Sequence, residues 1–216
     1  MFIIYIIGKI LQFLERENLR DDTFIIFISD NGGSPVNYAN NDPLREGKFS
    51  LYEGGTRVPF LMSWPSTIRK GQVIENVVSM LDIFPTVCAA VDVPIQFTDG
   101  LDLMPLLSGR DPNLQHDVLV WDMNAETAVL KGKWKLKTAN DLKQAQRQFL
   151  DVKYGEFLYN LEEDPGENRD LRYFFPEKFE ELKSIYIDWK KEKKIPFIFK
   201  MFCERYLHNQ HWFHLL

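Results

Sequence analysis

The sequence predicts an α/β fold in two unequal parts. Residues 1–95 read as a portion of a mixed-sheet α/β domain, and residues 96–190 as a small antiparallel-sheet subdomain with a terminal helix. A basic, aromatic stretch occupies 191–216. Three observations carry this reading. The run Thr23-Phe24-Ile25-Ile26-Phe27-Ile28-Ser29 is β-branched and aromatic, as a buried strand requires. It ends in Asp30-Asn31-Gly32-Gly33, polar residues and glycines at the carboxyl end of a strand, where α/β sheets place their sites. Beyond Gly100 the pattern changes to short strand-like pieces punctuated by turns.

In chain order, Gly8-Lys9-Ile10-Leu11-Gln12-Phe13-Leu14-Glu15-Arg16-Glu17 spaces its apolar residues as an amphipathic helix running to about Asn18. Arg20-Asp21-Asp22 is a turn, and residues 23–29 form the first strand. A long loop rich in Asn, Gly and Pro then runs to about Tyr52, and a loop of that length between well-patterned elements suggests function. Val58 to Trp64 reads as a second strand, with Pro59 near its start where a missing donor is tolerated. After a break at Lys70-Gly71, before Val73-Ile74, residues 79–91 form a helix with Pro85 near its first turn. Val118–Trp121, Thr127–Leu130, Trp134–Lys137 and Phe157–Asn160 are the small strands. Residues 175–194 carry Phe179, Leu182, Ile185, Tyr186 and Trp189 at helical spacing.

Bulk properties exclude several classes. A chain of 216 residues with 45% hydrophobic and 14% aromatic content can bury a core. Its 26 Lys+Arg against 31 Asp+Glu leave a net charge of −5, which argues against a nucleic-acid partner. Two cysteines, Cys88 and Cys203, make no disulfide framework, and Cys88 between Val87 and Ala89 reads as a buried structural thiol. No run reaches the roughly 20 apolar residues of a membrane span. Met1 to Ile7 is apolar but lacks a basic start and a small-residue cleavage site, so no signal peptide is recognised and the location stays open. His208, His211 and His214 match no strong zinc signature, and the 191–216 stretch reads as a packing helix or an extension.

Asp30 and Asn31 offer hard oxygen ligands, although Asp-Asn-Gly-Gly also makes an ordinary turn. The segment Leu44-Arg45-Glu46-Gly47-Lys48-Phe49-Ser50-Leu51-Tyr52-Glu53-Gly54-Gly55-Thr56-Arg57-Val58-Pro59 is more specific. Here the sequence resembles the sulfatase family, the arylsulfatases and their relatives among the alkaline-phosphatase-like hydrolases. In that family an Asp-Asn-Gly turn closes a strand, and a Leu-Arg-Gly-Gly-Lys segment with a later Glu-Gly-Gly-x-Arg-Val-Pro comes after it; Glu46 stands where the family often has glycine. Trp64-Pro65, residues 78–86, residues 99–109, Lys131-Gly132-Lys133-Trp134-Lys135-Leu136 and residues 158–167 resemble further family landmarks in family order, so the likeness covers about residues 8 to 190.

The resemblance implies an alkaline-phosphatase-like fold and hydrolysis of sulfate esters. It implies that Asp30 and Asn31 are ligands of a divalent cation, Ca²⁺ with Mg²⁺ as the alternative, and that Lys48 contacts the substrate sulfate and helps stabilise the leaving oxygen. A lysine suits that role as a compact point charge. Arg45, Glu53 and Arg57 are expected to shape the loop rather than touch sulfur. The family's nucleophile is a formylglycine made from the first residue of Cys-x-Pro-x-Arg or Ser-x-Pro-x-Arg, and no such pattern occurs here. Cys88 is followed by Ala89-Ala90-Val91-Asp92, Cys203 by Glu204-Arg205-Tyr206-Leu207, and Ser63-Trp64-Pro65-Ser66 ends in Thr67. The expectation is therefore a truncated or partial sulfatase acting on a sulfated small molecule or glycan. Its formylglycine is expected in an N-terminal half, a possible complementing partner. The alternatives are a non-catalytic remnant or binding module of the fold, and a phosphodiester or phosphonate ester hydrolase.

Overall fold

The computed structural model describes residues 2–140 and 154–192, so the three tail histidines and Cys203 lie outside the described residues. Helix α1, Phe2–Arg16, leaves Ile3, Ile4, Tyr5, Ile10 and Phe13 exposed. It stops where the sequence places the boundary, because Asn18 takes a left-handed conformation (φ 56°) and the Leu19 amide reaches back to Leu14 O at 2.8 Å.

Strand β1, Ile25–Ile28, pairs antiparallel with β2, Phe60–Ser63, in the register Ile26↔Met62 and Phe27↔Leu61. Both strands are shorter than the sequence reading; Ser29 N still reaches Pro59 O at 3.3 Å, but beyond it the chain turns into the glycine loop. Period-two alternation sends Phe60 and Met62 toward a core of Ile68, Leu103, Met104, Leu106 and Leu107. On the opposite face the cross-strand pair Phe27 and Leu61 is exposed. The sheets of the described residues contain antiparallel pairs alone.

The helix expected over 79–91 begins as a 3₁₀ turn, Met80–Asp82, and continues as α3, Ile83–Ala90. Ser79 and Asp82 cap it reciprocally: Ser79 N donates to Asp82 Oδ2 at 2.7 Å and Leu81 N to Ser79 Oγ at 3.3 Å. Two short helices depart from the sequence reading. One is α2, Glu53–Thr56, in the motif loop; the other is α4, Met104–Leu107, which fills the first core.

The second part is a four-stranded antiparallel meander: β3, Leu119–Asp122; β4, Glu126–Lys131; β5, Trp134–Ala139; and β6, Gly155–Asn160. Helix α5, Pro176–Glu192, covers one face, where Val129, Leu136, Leu158, Leu171 and Leu182 make a second core. The other face carries Glu126, Lys135, Lys137 and Tyr159, and it is buried too.

Candidate active-site loop

The turn after β1 exposes Asp30 and half-buries Asn31. Ser29 Oγ donates to Asn31 O at 2.7 Å, and Asn31 Nδ2 donates to Gly32 O at 2.9 Å, which leaves Asn31 Oδ1 as the side chain's accepting atom. Main-chain contacts then draw the motif loop onto this turn. Lys48 N donates to Gly33 O at 3.1 Å and Gly32 N to Gly55 O at 3.0 Å. The structure thus brings Asp30, Asn31 and the Lys48 backbone together, although they are 17 residues apart at the nearest, 48 minus 31. Lys48 is half-buried, with its Nζ 5.5 Å from the centre of the Phe49 ring.

Gly47, next to Lys48, lies where the motif loop meets the turn. A Cβ on Gly47 would sit 2.1 Å from Gly33 O and 2.6 Å from Asn41 Nδ2, so this glycine permits close approach rather than freedom. Asn41 is the brace that sequence reasoning missed. It accepts from Gly33 N at 2.9 Å and donates to Gly33 O at 3.0 Å and Glu46 O at 2.8 Å, so one side chain stitches both segments. Its only signal is an asparagine inside a polar loop, which does not distinguish a brace from a turn former.

Glu46 adopts φ 59°, the left-handed region where a side chain costs roughly 1–2 kcal/mol and glycine almost nothing, so the position suits the glycine that the resemblance places there and glutamate occupies it at a cost. Set against the extra chain entropy that glycine loses, about 0.5–1 kcal/mol, Glu46→Gly is expected to raise stability by up to about 1 kcal/mol. Glu46→Val is expected to lower it, since a β-branched residue is a worse fit to that conformation. Thermal melting of the two variants beside the parent checks the opposite signs.

Arg45 and Glu53 shape the loop, as expected, and they do so against the small sheet. Lys135 Nζ lies 2.7 Å from Glu53 Oε1 and 3.0 Å from Glu167 Oε1, and Lys137 Nζ lies 3.0 Å from Glu126 Oε2. Between them the fully buried Tyr52 ring has Lys137 Nζ at 4.1 Å and the Arg45 guanidinium at 4.5 Å from its centre. Burial pushes the Glu167 carboxyl above its ordinary range against the pull of Lys135, and it pushes the Lys137 ammonium below its own against the pull of Glu126. Burial likewise raises the Tyr159 phenol. Arg57 is exposed and lies at the end of α2.

Among the described residues no three of His, Cys, Asp or Glu gather as a metal cluster. Asp30 and Asn31 are nevertheless the right donor types for a hard cation: an exposed carboxylate and an amide whose nitrogen is already engaged. They fit as part of a ligand set, since Ca²⁺ takes about 6–8 oxygens. His116, left unassigned by the sequence, pairs through Nε2 with Asp82 Oδ1 at 2.7 Å, and the same carboxylate accepts from Leu101 N at 2.8 Å. That pair fastens the loop before β3 to the start of α3. Cys88 is half-buried rather than enclosed, because α3 turns Phe84 and Val87 outward.

A family model described as Sulfatase matches residues 5–93. Human steryl-sulfatase is 37% identical over 130 residues, 55% of this chain and 22% of that protein. The N-acetylgalactosamine-6-O-sulfatase of Bacteroides thetaiotaomicron is 29% identical over 200 residues, 83% of this chain and 38% of that protein. Among solved structures, a Bacteroides thetaiotaomicron protein from a locus for metabolism of multiple glycosaminoglycans superposes with a TM-score of 0.75 at 28% identity, over 87% of this chain and 42% of its own. Ps i-CgsB, solved with a neocarrahexaose, superposes with a TM-score of 0.71 at 29% identity, over 84% of this chain and 39% of its own. Residues 5–93 thus match the sulfatase family, and the chain shares the alkaline-phosphatase-like fold of its structural neighbours. It spans well under half the length of these relatives.

Proposed function

We propose that this chain carries the cation-ligand pair and the sulfate-contacting lysine of a sulfate-ester hydrolase acting on a sulfated small molecule or glycan. One observation carries the reading. The lysine loop is bonded through Lys48 N to Gly33 O, at the end of the same four-residue turn that presents Asp30 and Asn31. That bond brings the backbone of Lys48 onto the turn that carries two oxygen donors suited to a hard cation, one charged and one neutral, and so supports a shared role for the three residues. Asp30 and Asn31 would hold Ca²⁺ or Mg²⁺, which when bound supplies positive charge to sulfate oxygens. Lys48 would neutralise charge that develops on the leaving oxygen. Because the 216 residues contain no Cys-x-Pro-x-Arg or Ser-x-Pro-x-Arg, the formylglycine would come from polypeptide outside this sequence, an N-terminal complementing half.

The purified chain is expected to give no turnover of a chromogenic aryl sulfate above buffer, and to gain it when a nucleophile-bearing sulfatase half is fused ahead of Met1. Turnover by the chain alone that Lys48→Ala abolishes would overturn the assignment of the nucleophile. A fusion that prefers an aryl phosphodiester or phosphonate ester would move the protein to those relatives, and a folded but inert fusion would make it a non-catalytic member.

A further inference from the structure

We propose that the buried charge cluster on the small sheet is a positioning device for the lysine loop, with Lys135, Glu53 and Glu167 as positioning residues. Its functional meaning rests on the role proposed for Lys48, whereas the claim about the loop is tested without turnover. Strand β5 alternates Trp134, Lys135, Leu136, Lys137, a pattern that in a two-layer protein sends the lysines to solvent. Here both lysines are fully buried, because the loop 45–53 lies across that face.

The contacts divide cleanly. The loop contributes Arg45 and Glu53; the sheet and the segment after β6 contribute Glu126, Lys135, Lys137 and Glu167. Three cations thus meet three carboxylates. The sheet carboxylates also take loop amides just beyond Lys48: Leu51 N donates to Glu126 Oε2 at 3.2 Å and Glu53 N to Glu167 Oε2 at 2.5 Å. Arg45 Nη1 donates to Glu167 O at 3.3 Å, and Gly54 N to Arg45 O at 2.8 Å, which closes the base of the loop.

Such a cluster is a poor source of net stability, since desolvation offsets the attraction of buried ion pairs. It is a strong source of specificity. A loop seated one residue away would leave buried charges unpaired, so the loop has one acceptable seat. With the far side of the loop tied to Gly33 through Lys48 N, the seat on the sheet sets where Lys48 stands relative to Asp30 and Asn31. Residues 82 and 114 positions away from Glu53 along the chain therefore place the site.

Amide hydrogen exchange on the chain as it stands tests this. Lys135→Met is expected to speed exchange at the Lys48 and Gly54 amides at least about 10-fold more than at Val129 and Leu136 in the β4–β5 ladder, as a local opening does. If Lys135→Met does not fold because Glu53 and Glu167 are left unpaired, the triple change Glu53→Gln, Lys135→Met, Glu167→Gln removes those charges and is expected to give the same loop-selective acceleration in a folded protein. Equal acceleration of loop and ladder, or none, in the folded variant would reduce the cluster to a structural role and overturn the proposal. Loop-selective acceleration together with a Lys48→Ala variant that keeps full turnover in the fusion would sink the function proposed for Lys48 and leave the positioning device standing.

Discussion

Lys48→Ala, introduced into the chain fused to a nucleophile-bearing sulfatase half, is expected to lower turnover of an aryl sulfate about 10²–10³-fold, the usual loss when one preorganised charge at a developing oxyanion is removed. Its melting temperature should stay within about 2 °C of the parent, because a half-exposed side chain away from a core or network typically contributes within about 0.5 kcal/mol. The structure supports this separation. What Lys48 gives the fold is its backbone N–H, bonded to Gly33 O, and alanine keeps that bond. Its ammonium lies near the Phe49 ring and joins none of the ion pairs among the described residues. Kinetics and melting are measured on the same preparation. Unchanged turnover, or a melting point that collapses with it, would make the lysine part of a structural loop and nothing more.

The contrast between Lys48 and its supports shows what a sequence displays and what it hides. Strands at 25–28 and 60–63 and the four-stranded meander are legible as short β-branched and aromatic runs between turns, and α5 as apolar residues at helical spacing. Asp30 and Asn31 draw notice by standing at the carboxyl end of a strand, but the roles proposed for them and for Lys48 rest on a resemblance, since isolated carboxylates and lysines carry no pattern. Asn41, Glu126 and Glu167 are invisible for a physical reason: their partners lie 5, 75 and 114 residues away, and polar side chains that act as braces look in sequence like polar side chains in water. The same ambiguity makes β5 read as half-exposed. Local periodicity reports which face is apolar, and it cannot report that a charged face has been covered by a complementary charged loop.

Glycine placement gives the second large expected effect, on folding. A Cβ on Gly32 would sit 1.6 Å from Gly54 O and 2.7 Å from Gly54 C, both main-chain atoms held by the bonds of Gly54 N to Arg45 O and Gly32 N to Gly55 O. No rotamer change can relieve a clash between two backbones, so one segment must move and both bonds are strained. Overpacking a side chain costs about 1–3 kcal/mol when neighbours can adjust, and here the cost should reach about 3 kcal/mol or more. For a chain of this size that lowers the melting temperature by about 6–12 °C for Gly32→Ala. Gly8 provides the control, because it lies inside α1 with nothing within 4 Å of its Cβ position. There the same substitution adds a better helix former and should raise stability by up to about 1 kcal/mol. A melt in which Gly32→Ala matched the parent would mean that the turn and the lysine loop do not pack together in solution, and the juxtaposition of Lys48 with Asp30 and Asn31 would fall with it.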